Sequence, residues 1–266
     1  MSLAFLFGAR CRACGQRSRL RRLGGVAPTQ AGAFHTQRFA LVHCRLCDVV
    51  YLDPAPTPGD LRALYEEAEQ FTDPHYTDPE RVAAILDYYG DAVRRLDLLP
   101  APGERMLEIG AGLAWVARTC KELEPGVVTT AQDVSAECAS ACAWVDRYHV
   151  GAVDALPREP AFRLASMTHV IEHLVDPAAM LAEVSARLVP GGKLFVTAPF
   201  RPSGWTSADG IAKWRDYSYL HVPAHVTYFS RLWFEREAPR HGLAVAHWDA
   251  GHEDGQAFEL VLAKAR

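Results

Sequence analysis

The chain has 266 residues, 49% of them hydrophobic, and a formal charge of −4 at neutral pH. That suits one full-sized buried core with a small appendage, and the acidic balance gives no global reason to expect nucleic acid. No stretch approaches the roughly 20 apolar residues of a membrane span, and residues 3–7 lack the basic start and cleavage site of a secretory signal, so a cytoplasmic location with no membrane partner is expected.

Residues 1–55 carry Cys11-Arg-Ala-Cys14 and Cys44-Arg-Leu-Cys47, with 29 residues between the pairs. Four thiolates complete the closed tetrahedral shell of a structural zinc, and each Cys-x-x-Cys turn presents two sulfurs to one side of the ion. A small zinc-ribbon-like module is expected, with unmetallated thiols as the plain alternative and no open position for metal catalysis. The spacing exceeds that of a usual ribbon, so the strands between the pairs must be long or looped. Arg10, Arg12, Arg17, Arg19, Arg21 and Arg22 crowd the same segment, a cluster able to grip phosphates.

Residues 56–100 read as a linker and capping helices. The linker is the proline-rich Asp53-Pro-Ala-Pro-Thr-Pro58; helices are expected over 61–70 and 79–99, where Val82, Ile85, Leu86, Tyr89, Val93 and Leu96 recur at helical spacing.

The core, residues 101–266, opens on Arg105-Met-Leu-Glu-Ile-Gly-Ala-Gly112, an apolar strand ending in Glu108 and two glycines. Lacking a Cβ, Gly110 and Gly112 let the backbone turn sharply and approach a ligand. Asp133 follows Gly112 by 21 residues, at the end of the next strand, where a carboxylate accepts from both hydroxyls of a ribose. A dinucleotide fingerprint would want a third glycine where Trp115 stands; the indole speaks for a nucleoside cofactor without a pyrophosphate. Strand-like runs then alternate with helical ones over 105–109, 115–123, 127–132, 135–147, 164–170, 177–188 and 193–198. That order predicts an α/β protein with a parallel sheet and helices on both faces. Gly110, Asp133, Asp154 and His169 fall at strand carboxyl ends, where such sheets bind ligands. Residues 230–241 read as a helix, and 243–248 and 257–264 as a closing pair of strands.

These residues resemble the class I S-adenosylmethionine-dependent methyltransferases, whose first motif, acidic-x-Gly-x-Gly, is here Glu108-Ile-Gly-Ala-Gly. Val153-Asp-Ala-Leu-Pro157 is similar to the family's third-strand motif. Thr168-His-Val-Ile-Glu-His-Leu174 is similar to the end of its fourth strand, and Leu188-Val-Pro-Gly-Gly-Lys-Leu-Phe-Val196 to the turn into its fifth. Ala114 departs from the third glycine many members carry. The resemblance implies a Rossmann-like seven-stranded sheet and S-adenosylmethionine as donor. It implies cofactor contacts from Glu108, Gly110, Ala111, Gly112, Asp133, Val134, Asp154, Ala155 and His169, with Asp154 on the adenine amine. Leading helices cover the cofactor in relatives, so Tyr65 or Tyr76 would touch its methionine end.

The donor's methyl is already activated by the sulfonium charge, so the enzyme must align the acceptor and remove its proton. A neutral histidine suits that task. His169, His173, His221 and His225 are the candidates, and His225 leads because Ala-His-Val-Thr-Tyr-Phe-Ser230 resembles a family segment over the substrate pocket. Tyr228 would orient the acceptor or the histidine, and His173 is the second choice of base. His169-Val-Ile-Glu-His173 also spells the inverted-zincin pattern, which needs both histidines on one helix; His169 instead ends a strand, so this is set aside. Pro223 likewise opposes a helix carrying His221 and His225 toward a metal. Residues 200–229 read as a substrate lid, with Trp205, Trp214, Tyr217 and Tyr219 divided between pocket and core.

The expected function is methylation of an O, N or C atom of a small molecule in natural-product or sugar biosynthesis, the acceptor free, carrier-protein-bound or nucleotide-linked. Two alternatives stand: a ribosomal or transfer RNA methyltransferase gripping RNA through the arginines, and a catalytically silent binding module. The composition says nothing of oligomeric state.

Overall fold

The computed structural model of the chain describes residues 5–6, 9–17, 19–29, 37–57, 59–61, 64, 77–251 and 256–266. Its N-terminal part is a ladder of antiparallel strands, β1 (Phe5–Leu6), β2 (Leu20–Val26), β3 (Phe39–Cys44) and β4 (Val49–Asp53). Every residue of β3 is buried, because alternate side chains enter different cores. Phe39 and Leu41 meet Trp205 and Trp214, while Val42 and Cys44 join the core of the larger sheet.

Asp78 starts helix α1 (Pro79–Arg95) by accepting the Glu80 and Arg81 N–H groups, with Pro79 pre-setting the first turn. There follow β5 (Arg105–Ile109), α2 (Trp115–Leu123), β6 (Val128–Asp133), β7 (Arg147–Val150), β8 (Phe162–Thr168), α3 (Pro177–Arg187) and β9 (Leu188–Pro199). The chain closes with β10 (Thr227–Tyr228), α4 (Arg231–Glu237), β11 (Leu243–Gly251) and β12 (Ala257–Lys264). Seven strands form one sheet in the order β11-β12-β9-β8-β5-β6-β7, parallel from β9 to β7, with β12 and β11 antiparallel at the end. The strand period of two explains the two covered faces. Met106 of β5 packs with Tyr89, Val93, Val116 and Cys120 of α1 and α2, while Leu107 and Ile109 pack with Leu181, Val184, Trp233 and Phe234 of α3 and α4.

The remaining strand, β10, leaves this sheet and becomes the fifth of the N-terminal one, Thr227 opposite Tyr51 and Tyr228 opposite Val50 of β4. Helix α4 then docks on the cysteine turns. Ser230 Oγ donates to the Cys47 carbonyl at 2.7 Å, Trp233 Nε1 to that of Ala13 at 2.7 Å, and Arg236 to that of Leu46 at 2.6 Å. The N-terminal strands and the large sheet thus share buried contacts.

The helix expected over 135–147 does not form. Residues 134–146 make successive turns with i→i+3 bonds, as from Ala139 to Ala136 and Ala141 to Cys138. Asp133 and Ser135 capture the first N–H groups with their side chains, and the small residues that follow bury only Cys138 and Cys142 before Val145, too little to drive a helix. The helix expected over 61–70 lies largely outside the described residues. Among the described residues no helix is long and apolar enough to cross a membrane.

Candidate active site

The loop after β5 is shaped by backbone that favours glycine: φ is +59° at Gly110 and +49° at Gly112. A Cβ on Gly110 would meet Val170 Cγ2 at 2.5 Å, so glycine lets the loop close on the segment following β8. Ala114 stands at φ +54°, which explains why a third glycine would suit that position; its methyl costs about 1–2 kcal/mol there.

Asp133 ties this loop to the end of β6. Its Oδ2 accepts the Gly112 N–H at 2.8 Å and its Oδ1 the Ser135 N–H at 2.9 Å. A carboxylate offers about four lone-pair sites, so it retains capacity for ribose hydroxyls. Beside it Val134 is 65% exposed, an apolar face open to a purine ring. Asp154 and Ala155 are exposed on the 3-10 turn Val153–Ala155, and Gly151 N–H donates to the Asp133 carbonyl at 2.8 Å. Glu108 points the other way. Its carboxyl accepts the Val116 and Ala117 N–H groups at 3.3 and 2.7 Å, holding the start of α2 against the loop, and burial pushes it up to about 7 against the pull of those donors. Ala111 N–H bonds the Gln132 carbonyl at 2.9 Å.

Two supports escaped the sequence reading. Tyr148 donates to the Gly112 carbonyl at 2.8 Å, and Cys142 Sγ lies 3.6 Å from the same oxygen. Both depend on the turns that replace the expected helix, so no local pattern announces them. Tyr65 and Tyr76 lie outside the described residues.

On the opposite side of Val170 the chain forms the 3-10 turn Ile171–His173. His169, at φ +54°, stacks on Tyr219 with ring centroids 6.2 Å apart. Glu172 is fully buried, and its neighbours come from the segment before β10. The Val226 N–H bonds the Glu172 carbonyl at 2.8 Å, and His173 Nδ1 donates to the Ala224 carbonyl at 2.9 Å. His225 Nδ1 and the Tyr228 hydroxyl both donate to the Tyr219 carbonyl, at 2.7 and 3.0 Å. The His225 ring meets His173 edge-on at 4.8 Å and stacks on His221 at 4.7 Å. Burial pushes His225 down to about 3 and also lowers His173, so both rings are neutral at pH 7. Burial would raise the Glu172 carboxyl; the surrounding His173, His169 and His225 outweigh it and hold it near 2. The sequence thus marks His173 and His225, and the structure brings them together; Glu172 enters as their common neighbour.

The four thiols of Cys11, Cys14, Cys44 and Cys47 lie within 4.8 Å of one another, with 3.8 Å between the sulfurs of Cys11 and Cys47. A tetrahedral zinc with bonds of about 2.3 Å sets its sulfurs about 3.8 Å apart, so the donor set fits that ion. Arg12, one of the clustered arginines, turns inward and donates to the carbonyls of Leu52 and Val226 at 2.9 and 3.0 Å. The segment 200–222 anchors in the N-terminal sheet: Trp205, Trp214 and Tyr217 are buried with Leu23, Phe39 and Leu52, leaving Tyr219 half-buried toward His169.

A sequence profile described as a methyltransferase domain matches residues 79–247. No curated protein matches the sequence. Among solved structures, similar folds include a chain from the complex of the Haloferax volcanii Trm112 methyltransferase activator with a methyltransferase, at a TM-score of 0.53 and 17% identity over 72% of this chain and 96% of that one. An S-adenosylmethionine-dependent methyltransferase from Mesorhizobium loti gives 0.50 and 18% over 67% and 100%. Coclaurine N-methyltransferase bound to N-methylheliamine and S-adenosylhomocysteine gives 0.52 and 12% over 70% and 73%.

Proposed function

Because the chain belongs to the class I S-adenosylmethionine-dependent methyltransferases, we propose that it methylates a small-molecule acceptor held against Glu172, His173 and His225. The observation that carries this reading is the contact between Gly110 and Val170, which sets the cofactor loop beside the segment bearing Glu172 and His173. When bound, S-adenosylmethionine would supply an electrophilic methyl group open to in-line attack by the acceptor, with S-adenosylhomocysteine as the leaving group.

In this reading Asp133 receives the ribose, Val134 the adenine face and Asp154 its amine, while the glycine loop admits the chain of atoms between them. His225 faces the acceptor through Nε2, because the Tyr219 carbonyl fixes the proton on Nδ1. It is the proposed proton acceptor, with His173 aligning the acceptor from its edge. Tyr228 acts through the Tyr219 carbonyl and is a positioning residue. Zinc on the four cysteines is structural and holds the turns on which α4 rests. A small acceptor is favoured over RNA because Arg12 is spent on backbone carbonyls and the net charge is −4.

Calorimetric titration with S-adenosylmethionine, followed by transfer of a labelled methyl group to a panel of small hydroxyl and amine acceptors and to bulk RNA, tests this. Donor binding weakened at least tenfold by Asp133→Ala, with label in small acceptors, is the expected result; label in RNA alone overturns it.

A further inference from the structure

A fully buried carboxylate needs donors, yet neither oxygen of Glu172 has a hydrogen bond among the described residues. What surrounds it is imidazole: His169 Nδ1 at 3.6 Å and His173 Nε2 at 3.7 Å from Oε1, with the His225 ring edge-on to His173.

The imidazoles are set to offer lone pairs. Nδ1 of His173 donates to the Ala224 carbonyl and Nδ1 of His225 to the Tyr219 carbonyl. A carbonyl only accepts, so each fixes the tautomer with its proton on Nδ1 and its lone pair on Nε2, the support found behind metal-ligating histidines. The ligand atoms of Glu172, His173 and His225 all lie within 4.8 Å of one another. Around a tetrahedral cation with bonds of about 2.1 Å such atoms stand about 3.4 Å apart, a few tenths closer than the 3.7 Å of the Glu172–His173 pair.

We propose that Glu172, His173 and His225 bind a divalent transition-metal cation and that the acceptor's hydroxyl oxygen completes its shell. Two imidazoles and a carboxylate suit Zn²⁺, Fe²⁺ or Co²⁺, and three protein ligands leave the open position that the closed cysteine shell lacks. The site escapes the inverted-zincin pattern: His169 lies in the bend just after β8, and His225 arrives instead from the loop that His173 itself holds. The assignment rests on this face being the acceptor site and names the acceptor class, an alcohol or phenol. With the cation bound, Nε2 of His225 is its ligand and no longer the proton acceptor, so the coordinated hydroxyl releases its proton to water. Its oxygen forms the new O–C bond while the donor's S–C bond breaks, the electron pair staying on sulfur to give the thioether.

Titration of the metal-stripped full chain with Co²⁺ separates the two metal sites, because only the cysteine site gives intense thiolate charge-transfer absorption. A second equivalent adding weak visible bands without thiolate absorption is expected. Glu172→Gln and His225→Ala should each weaken that second equivalent by about 10²-fold or more while keeping the thiolate band and the thermal shift with S-adenosylmethionine, which report an intact fold. Wild-type protein that saturates at the cysteine site alone, or variants that bind the second equivalent as tightly as wild type, overturns the site. Metal binding is read without acceptor, so a site that fills in a protein that methylates no hydroxyl sinks the acceptor reading and leaves the metal assignment standing.

Discussion

His225 and Tyr228 share one acceptor: the imidazole Nδ1 and the phenol hydroxyl both donate to the carbonyl of Tyr219, at 2.7 and 3.0 Å. The hydroxyl helps fix the carbonyl, and the carbonyl fixes the ring. Tyr228→Phe removes one of the two bonds without opening a cavity. It should cost about 1 kcal/mol of stability and lower kcat several-fold, with donor affinity unchanged. Steady-state kinetics beside a donor titration decide it; an unchanged kcat means the carbonyl holds His225 unaided.

Gly110→Ala joins two penalties, a positive φ and a Cβ 2.5 Å from the Val170 side chain. The loop must shift away from Val170, carrying Gly112 off its 2.8 Å bond to Asp133. Donor affinity should fall at least tenfold, measured by calorimetry, while circular dichroism stays near wild type. Wild-type affinity would show that Val170 simply turns aside.

Glu108 makes a pH prediction. Burial raises its folded pKa to about 7 from an ordinary 4.5, so the folded state prefers the protonated carboxyl. Its contribution to stability is full below about pH 4.5 and is lost as pH rises through about 7, a change on the order of 3 kcal/mol. Denaturant unfolding at a series of pH values should show this fall in wild type and not in Glu108→Gln. Parallel curves would mean that the carboxyl stays ionised through the window.

Removing zinc should separate donor binding from transfer. The four cysteines lie in the turns under α4, whereas the Gly112–Asp133 bond belongs to the other sheet. Chelation, followed by zinc analysis, should abolish methyl transfer in proportion to metal lost and leave donor affinity within about threefold. Equal loss of both would show that the cysteine turns support the whole core.

Much of the proposed donor side is legible in the sequence because its determinants are local: a strand, two glycines, and an acidic residue one βαβ unit later. The acceptor side is not. His173 and His225 can be picked out as histidines in suggestive segments, but their meeting depends on the Val226 N–H bonding the Glu172 carbonyl. Glu172 looks like any helix-starting acid until its burial is seen. Tyr148 is hidden for a related reason, since its reach to Gly112 requires residues 134–146 to turn where their spacing suggests a helix. Arg12 reads as a phosphate ligand because composition cannot show that it points inward.

The pairing of Thr227 and Tyr228 with β4 also sets an order of assembly during synthesis. The cysteine turns emerge from the ribosome early and can take up metal at once, but the free edge of β4 must wait for most of the chain before its partner arrives. Over that interval the nascent protein presents Val50 and Leu52 on an open strand, an invitation to mispairing with another chain. Truncations ending just before residue 227, which leave the edges of both β4 and β9 open, should therefore aggregate.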